Sequence, residues 1–204
     1  MLEEFEIQLV AAWRGTGWIE IIAAALAVAY LLLAIRQSIH CWLAAFVSSC
    51  LYVWVLFGAR LYMESALNGF YAAMAAYGFW QWHESAGSAA VTVHRWTLAR
   101  NALGTAGVVG LSAVSAYLLR RFTHAAWPFM DSMVAWASVF ATFMVARKVY
   151  ENWHWWLVID SVSLCLYFTR RLYLTALLFA LYLALIVVGM REWRRSLGIA
   201  AHAA

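Results

Sequence analysis

The chain has 204 residues, of which 66% are hydrophobic and 12% charged, with a formal net charge of +4 and a mean hydropathy of +0.75. A soluble domain is about half apolar and about a quarter charged, so this composition excludes a water-soluble globular protein and points to helices packed in lipid. The cations are 13 Arg and the single Lys148, mostly at segment ends; they form no basic stripe, which excludes nucleic acid as a partner and fits contact with the lipid bilayer.

The first segment, 1–19, carries Glu3, Glu4 and Glu6 among the apolar Phe5, Leu9, Val10 and Trp13. A secretory signal begins with positive charge, so this stretch reads instead as a short interfacial element. Seven apolar segments follow, at 20–35, 41–58, 62–82, 99–119, 127–146, 153–169 and 172–190, and a tail at 195–204 completes the chain. Most approach the ~20 residues a helix needs to cross ~30 Å of hydrocarbon. The loops are brief, the longest running over 83–98, so neighbouring helices are antiparallel. Cys41, Cys50 and Cys165 are odd in number and lie in or beside apolar segments, which suits neither a disulfide framework nor a metal site.

A displacement of 111 residues superposes one half of the chain on the other. Arg36 falls on Arg147, Trp42 on Trp153, and Arg60-Leu61-Tyr62 on Arg171-Leu172-Tyr173. Leu67, Tyr71, Gly78 and Trp82 fall on Leu178, Tyr182, Gly189 and Trp193. Matched Arg-Leu-Tyr, Trp and Gly positions in one register mark an internal repeat. The three-helix repeats cover 20–83 and 127–194, and the helix 99–119 links them, its Gly104, Gly107 and Gly110 offering a small-residue packing surface. An odd linker leaves both repeats in the same orientation. The expected fold is therefore an all-α integral membrane protein of seven transmembrane helices in a 3+1+3 parallel arrangement, a layout found in transporters whose halves rock about a central site.

Orientation follows from charge. One side receives Arg14, Arg60, Arg120, Arg121, Arg170 and Arg171; the other receives Arg36, Arg95, Arg100, Arg147, Lys148, Arg191, Arg194 and Arg195. The excess on the second side puts the C-terminus in the cytoplasm and the N-terminus outside.

The polar residues inside the spans are the functional candidates. Asp160 lies in the apolar run Trp153-His154-Trp155-Trp156-Leu157-Val158-Ile159-Asp160. A carboxylate at that depth costs roughly 2.5–3.5 kcal/mol in lipid, so it faces protein or a water-filled cavity. Trp153, Trp156 and Asp160 are spaced i, i+3 and i+7 on one helical face, and Tyr167 continues it a heptad later. Two indoles beside a carboxylate suit a flat cation; an interfacial aromatic belt with a structural acid is the plainer alternative. The third segment presents Glu64, Asn68 and Tyr71 on one face, with Thr175, Phe179 and Tyr182 at the corresponding places in the second repeat. The second segment adds Trp42, Ser48, Ser49 and Tyr52, with Ser49 at the place of Asp160.

No cofactor and no enzymatic activity are expected. Lys148 lies between segments five and six, where it is unsuited to a retinal Schiff base, and His40, His83, His94, His124, His154 and His202 are near ends or in loops rather than mid-span. No phosphate-binding glycine loop, His-Glu-x-x-His or Ser-His-Asp set is present. The loops are small for a sensor or scaffold, which leaves transport as the leading class.

The residues 151–195 resemble the PnuC family of bacterial vitamin transporters. Its Trp-x-x-Trp-x-x-x-Asn/Asp pattern is present as Trp153, Trp156 and Asp160, and Arg171-Leu172-Tyr173-Leu174-Thr175-Ala176 and Gly189-Met190-Arg191-Glu192-Trp193 are similar to family sequence. Leu61-Tyr62, Phe70-Tyr71 and Tyr77-Gly78-Phe79-Trp80-Gln81-Trp82 extend the likeness into the first half. The resemblance implies a SWEET-like fold, a homotrimer in the bacterial inner membrane, and facilitated diffusion of nicotinamide riboside, trapped by cytoplasmic phosphorylation for NAD biosynthesis. Members that carry thiamine or riboflavin make those the alternatives. The only proline, Pro128, precedes Phe129, so the Pro-Gln dipeptide of sugar carriers of this fold is missing. Asn68 stands where the family pattern has Gln, and 72–76 is wholly apolar; both departures fall where a substrate would be read.

Overall fold

Each apolar segment forms a helix. The computed structural model describes residues 17–84, 92–122 and 127–202, and the expected interfacial element at 1–16 lies outside the described residues. The helices are α1 Trp18–Ile35, α2 His40–Gly58, α3 Tyr62–Glu84, α4 Leu98–Phe122, α5 Pro128–Ala146, α6 Asn152–Thr169 and α7 Tyr173–His202. Pro128 begins α5, at the position where a missing N–H costs nothing.

Of the seven helices among the described residues, five, α1, α2, α4, α5 and α7, are long and apolar enough to cross a membrane. The other two, α3 at 23 residues and α6 at 18, are long enough but more polar. They are the helices that carry Glu64, Asn68 and Tyr71, and Trp153, Trp156 and Asp160. The last helix differs from expectation. It runs to His202 rather than stopping near 190, so most of the anticipated tail is helical. Its extension is held by protein contacts: Trp193 is fully buried, and Gln37 Nε2 donates to Ser196 Oγ at 2.8 Å.

Consecutive helices, α3 and α4 excepted, pack as antiparallel neighbours, and two further contacts, α3 on α5 and α1 on α7, close α1, α2, α3, α5, α6 and α7 into a ring. Among the described residues α4 packs only on α5, outside that ring. Four helix ends share one turn. Gln37, Arg60, Lys148 and Arg171 have φ of 54, 61, 51 and 60°, a left-handed conformation that costs a non-glycine residue roughly 1–2 kcal/mol. The compensation is the pair of backbone bonds of a Schellman motif. The N–H of Ser38 reaches Leu33 O at 3.0 Å, and those of Leu61, Val149 and Leu172 reach Leu56, Met144 and Tyr167 at 2.9 Å. The four positions form two pairs, each 111 residues apart.

The same spacing governs the core. Trp42 and Trp153 are 1% and 2% exposed. A Cβ added at Gly78 would run into the indole of Trp42, and one at Gly189 into that of Trp153. Trp42 meets Trp82 edge-on with centroids 5.5 Å apart, and Trp153 meets Trp193 at 5.4 Å. Trp82 Nε1–H donates to Ala146 O at 3.0 Å and Trp193 Nε1–H to Ala34 O at 3.1 Å. These two bonds tie α3 to α5 and α7 to α1, the contacts that close the ring.

Gly78→Ala and Gly189→Ala are each expected to lower stability by about 1–3 kcal/mol, the usual cost of overpacking a core. Gly107→Ala, with open space at its Cβ, is expected to be neutral or mildly stabilising. Thermal unfolding of the three purified variants in detergent checks the contrast.

Candidate functional site

Asp160 is 5% exposed, midway along α6. Among the described residues it forms no ion pair; the one side-chain ion pair found there joins Arg195 to Glu192 at 2.6 Å. Two tyrosines interact with it electrostatically. Tyr71 on α3 is one, and has the Ser138 hydroxyl of α5 beside it. Tyr182 on α7 interacts electrostatically with both Asp160 and Tyr52 of α2. Tyr30 of α1 lies beside Tyr71 and Cys41. Helices α3, α6 and α7 thus bring Tyr71, Asp160 and Tyr182 together, with Ser138 of α5 beside Tyr71 and Tyr52 of α2 beside Tyr182.

The anticipated residues divide into three groups. Asp160, Tyr71 and Tyr182 come together. Trp156 is half-buried next to them in sequence and packs against both buried apolar clusters; Ser49 is buried on α2. Trp42 and Trp153 are instead enclosed against glycine, as described above. Their Nε1 atoms are buried with no hydrogen-bond partner among the described residues. Tyr167, Glu64 and Asn68 lie towards one end of the ring. Tyr167 stacks on Phe179 at 5.2 Å, and Phe179 meets Tyr182 edge-on at 5.7 Å. Tyr167 also interacts with Arg170, Glu64 and Asp131. An aromatic ladder therefore leads from a charged rim inwards to Tyr182, over the two helical turns, about 10 Å, that separate Tyr167 from Asp160. Asn68 Nδ2 donates to Glu64 O at 2.9 Å, within its own helix.

Sequence reasoning missed Ser138 and Tyr30. Ser138 reads as one more small residue in an apolar helix, and only the contact of α3 with α5 gives it Tyr71 as a neighbour. Ser48, flagged beside Ser49, instead donates to Ala23 O of α1 at 2.8 Å and ties two helices. Among the described residues no group of three or more His, Cys, Asp or Glu is arranged to hold a metal.

Ser138→Ala removes a buried hydroxyl beside Tyr71 and is expected to cost about 0.5–1.5 kcal/mol. Thr142 Oγ1 only bonds back to Ser138 O, at 2.7 Å, so Thr142→Val is expected to change stability by less than about 0.5 kcal/mol. Parallel thermal melts distinguish the two.

Known proteins agree with this architecture. A model of the nicotinamide mononucleotide transporter family matches residues 17–195. The chain is 31% identical over 184 residues to the riboflavin/roseoflavin transporter RibM of Streptomyces davaonensis, which covers 86% of this chain and 84% of that protein. It is 23% identical to the nicotinamide riboside transporter PnuC of Escherichia coli, over 93% of this chain and 90% of the other. The crystal structure of the vitamin B3 transporter PnuC has the same fold, with a TM-score of 0.73 at 22% identity over 95% of this chain and 88% of that one. With apolar helices enough for several membrane crossings and a family match over nearly its whole length, the chain belongs to the PnuC family: it is a multi-pass membrane transporter of the vitamin class and not an enzyme.

Proposed function

We propose that the chain carries nicotinamide riboside across the membrane by facilitated diffusion, with Asp160 as the group that receives its charge. The observation that carries this reading is a buried carboxylate with no ion-pair partner among the described residues, in electrostatic contact with Tyr71 and Tyr182. Nicotinamide riboside joins a flat pyridinium cation to a ribose. An ionised Asp160 offsets the cation, Trp156 and the tyrosine rings offer aromatic faces worth about 0.5–2 kcal/mol each, and the hydroxyls meet the ribose. Ser49, buried on α2, would join them as the register counterpart of Asp160. Glu64, Asn68 and Tyr167 line the approach, and Trp42 and Trp153 hold the helices that present it.

The mechanism follows from a 3+1+3 parallel repeat in a SWEET-like fold. Among the described residues its two three-helix halves pack at the α3–α5 and α1–α7 contacts, and rocking at these contacts would expose Asp160 to either side in turn. The family resemblance and charge distribution favour a homotrimer in the bacterial inner membrane, with the N-terminus outside.

A second reading, riboflavin, is favoured by the 31% identity to RibM against 23% to the Escherichia coli PnuC. Riboflavin is flat and polyhydroxylated but uncharged, so the carboxylate would serve it only as a hydrogen-bond acceptor. Thiamine, a flat cation, is the third.

Uptake of labelled nicotinamide riboside, riboflavin and thiamine into proteoliposomes separates these readings. Saturable nicotinamide riboside uptake is expected, weakened about tenfold or more in Asp160→Asn by loss of a charge-assisted contact. Riboflavin uptake indifferent to Asp160→Asn would establish the second reading. No saturable uptake of any of the three would remove vitamin transport as the function.

A further inference from the structure

A second polar site lies well away from Asp160. A cavity of about 460 Å³ is lined by Gln81, His94, Trp96, Arg100, Phe143 and Arg147, a volume in the range of small-molecule sites. It lies where α3 and α5 end and α4 begins. Arg147 is nine residues beyond Ser138 on α5, which at 3.6 residues per turn is about 14 Å along the axis and on the opposite face. The cavity is therefore not part of the central path.

Its walls are built rather than incidental. The segment preceding α4 is strapped to the turn between α5 and α6: His94 N–H donates to Lys148 O at 3.2 Å, Tyr150 N–H to His94 O at 2.9 Å, and Trp96 N–H to Glu151 Oε2 at 3.2 Å. Trp96 packs edge-on against Phe140 at 5.9 Å. Arg147 Nε donates to Tyr77 Oη at 2.8 Å, and its Cζ lies 5.3 Å from the Phe143 ring centre. That leaves the terminal guanidinium nitrogens, the fork that recognises phosphate, without a carboxylate among the described residues. Arg100 is likewise unpaired there, and it occupies the first turn of α4, which contains no acidic residue. A helix N-terminus is electropositive and favours anions. Two guanidiniums and a helix N-terminus therefore converge with like sign, an arrangement that repels itself until an anion enters. The nearest carboxylate in the strap, Glu151, is occupied by the Trp96 amide.

We propose that this cavity binds a phosphate group flanked by apolar or aromatic substance, supplied by an anionic lipid headgroup or by a soluble phosphate ester. The register counterpart of Arg147 is Arg36.

Native mass spectrometry of the full chain in detergent, with phosphatidylglycerol or phosphatidylcholine as probe, tests the lipid source. Thermal melts with sodium pyrophosphate test the soluble one. Selective retention of phosphatidylglycerol, or a rise in melting temperature with pyrophosphate, is expected, and the responding arm identifies the source. Arg100 makes no side-chain hydrogen bond or ion pair among the described residues, so Arg100→Gln removes ligand charge without disturbing the walls; an apparent affinity weakened about tenfold is expected, the loss of one charge-assisted contact. Equal retention of the two lipids with no pyrophosphate effect overturns the proposal. So does a response that Arg100→Gln leaves unchanged.

Discussion

Two tryptophan rings seated on two glycines hold the helices of this protein in place. Inside a bilayer there is no hydrophobic force to draw helices together, because lipid is as apolar as leucine. Close packing and directional bonds must do it. At Gly78 and Gly189 the missing side chain lets an indole lie directly on a neighbouring backbone, and each indole then meets a second edge-on, a geometry worth about 0.5–1.5 kcal/mol beyond burial. The second indole in each set, Trp82 or Trp193, donates to a carbonyl of a helix 64 or 159 residues away in the chain. Each set thus combines contact within one half of the chain with a bond to the other half.

This constraint explains how the work is divided among the residues. Trp42 with Trp153, Gly78 with Gly189 and Trp82 with Trp193 are identical in the two halves and build the scaffold. Asp160 opposite Ser49, and Trp156 opposite Ala45, differ between the halves and belong to the proposed site. A symmetric frame can be maintained by symmetric contacts, but an asymmetric solute needs different chemistry on its two sides. Tyr71 and Tyr182 are the matched exception: they supply hydroxyls from both halves, and the difference between them comes from their surroundings, Ser138 beside one and Tyr52 beside the other.

Much of this was legible in the sequence. Six of the seven helices fall within about three residues of the expected limits, because charge and interfacial aromatics mark where lipid ends. The register of 111 residues, read from matched Arg, Trp and Gly, reappears in four left-handed turns that no residue type announced. The end of α7 was not legible, since an arginine-rich run reads as departure from the membrane when protein contacts at Trp193 and Ser196 in fact continue the helix. Nor was the role of Trp42 and Trp153. Helical spacing puts Trp153 on the face of Asp160, but it cannot reveal that a glycine 36 residues later leaves a slot for the ring. Ser138 was invisible for the same reason: its meaning lies in a contact between helices far apart in the chain.

The two helices that fall short in apolarity, α3 and α6, complete the argument. Each has a neighbour on both sides in the ring, α2 and α5 for one, α5 and α7 for the other, so each can turn polar residues inwards. A helix exposed to lipid on most of its surface has less such freedom: on α4, outside the ring, Ser112 and Thr105 bond back to their own backbone at 2.7 and 2.8 Å, and Ser115 accepts from Trp136 of α5, its one helix neighbour among the described residues. The cost of a buried carboxylate without a counter-ion is therefore confined to a helix whose neighbours shield it from hydrocarbon. On the proposed reading, that cost is lowest when a cation is bound and highest when the site is empty, so a carboxylate at Asp160 would favour occupancy without demanding any change in the indole and glycine contacts that hold the ring together.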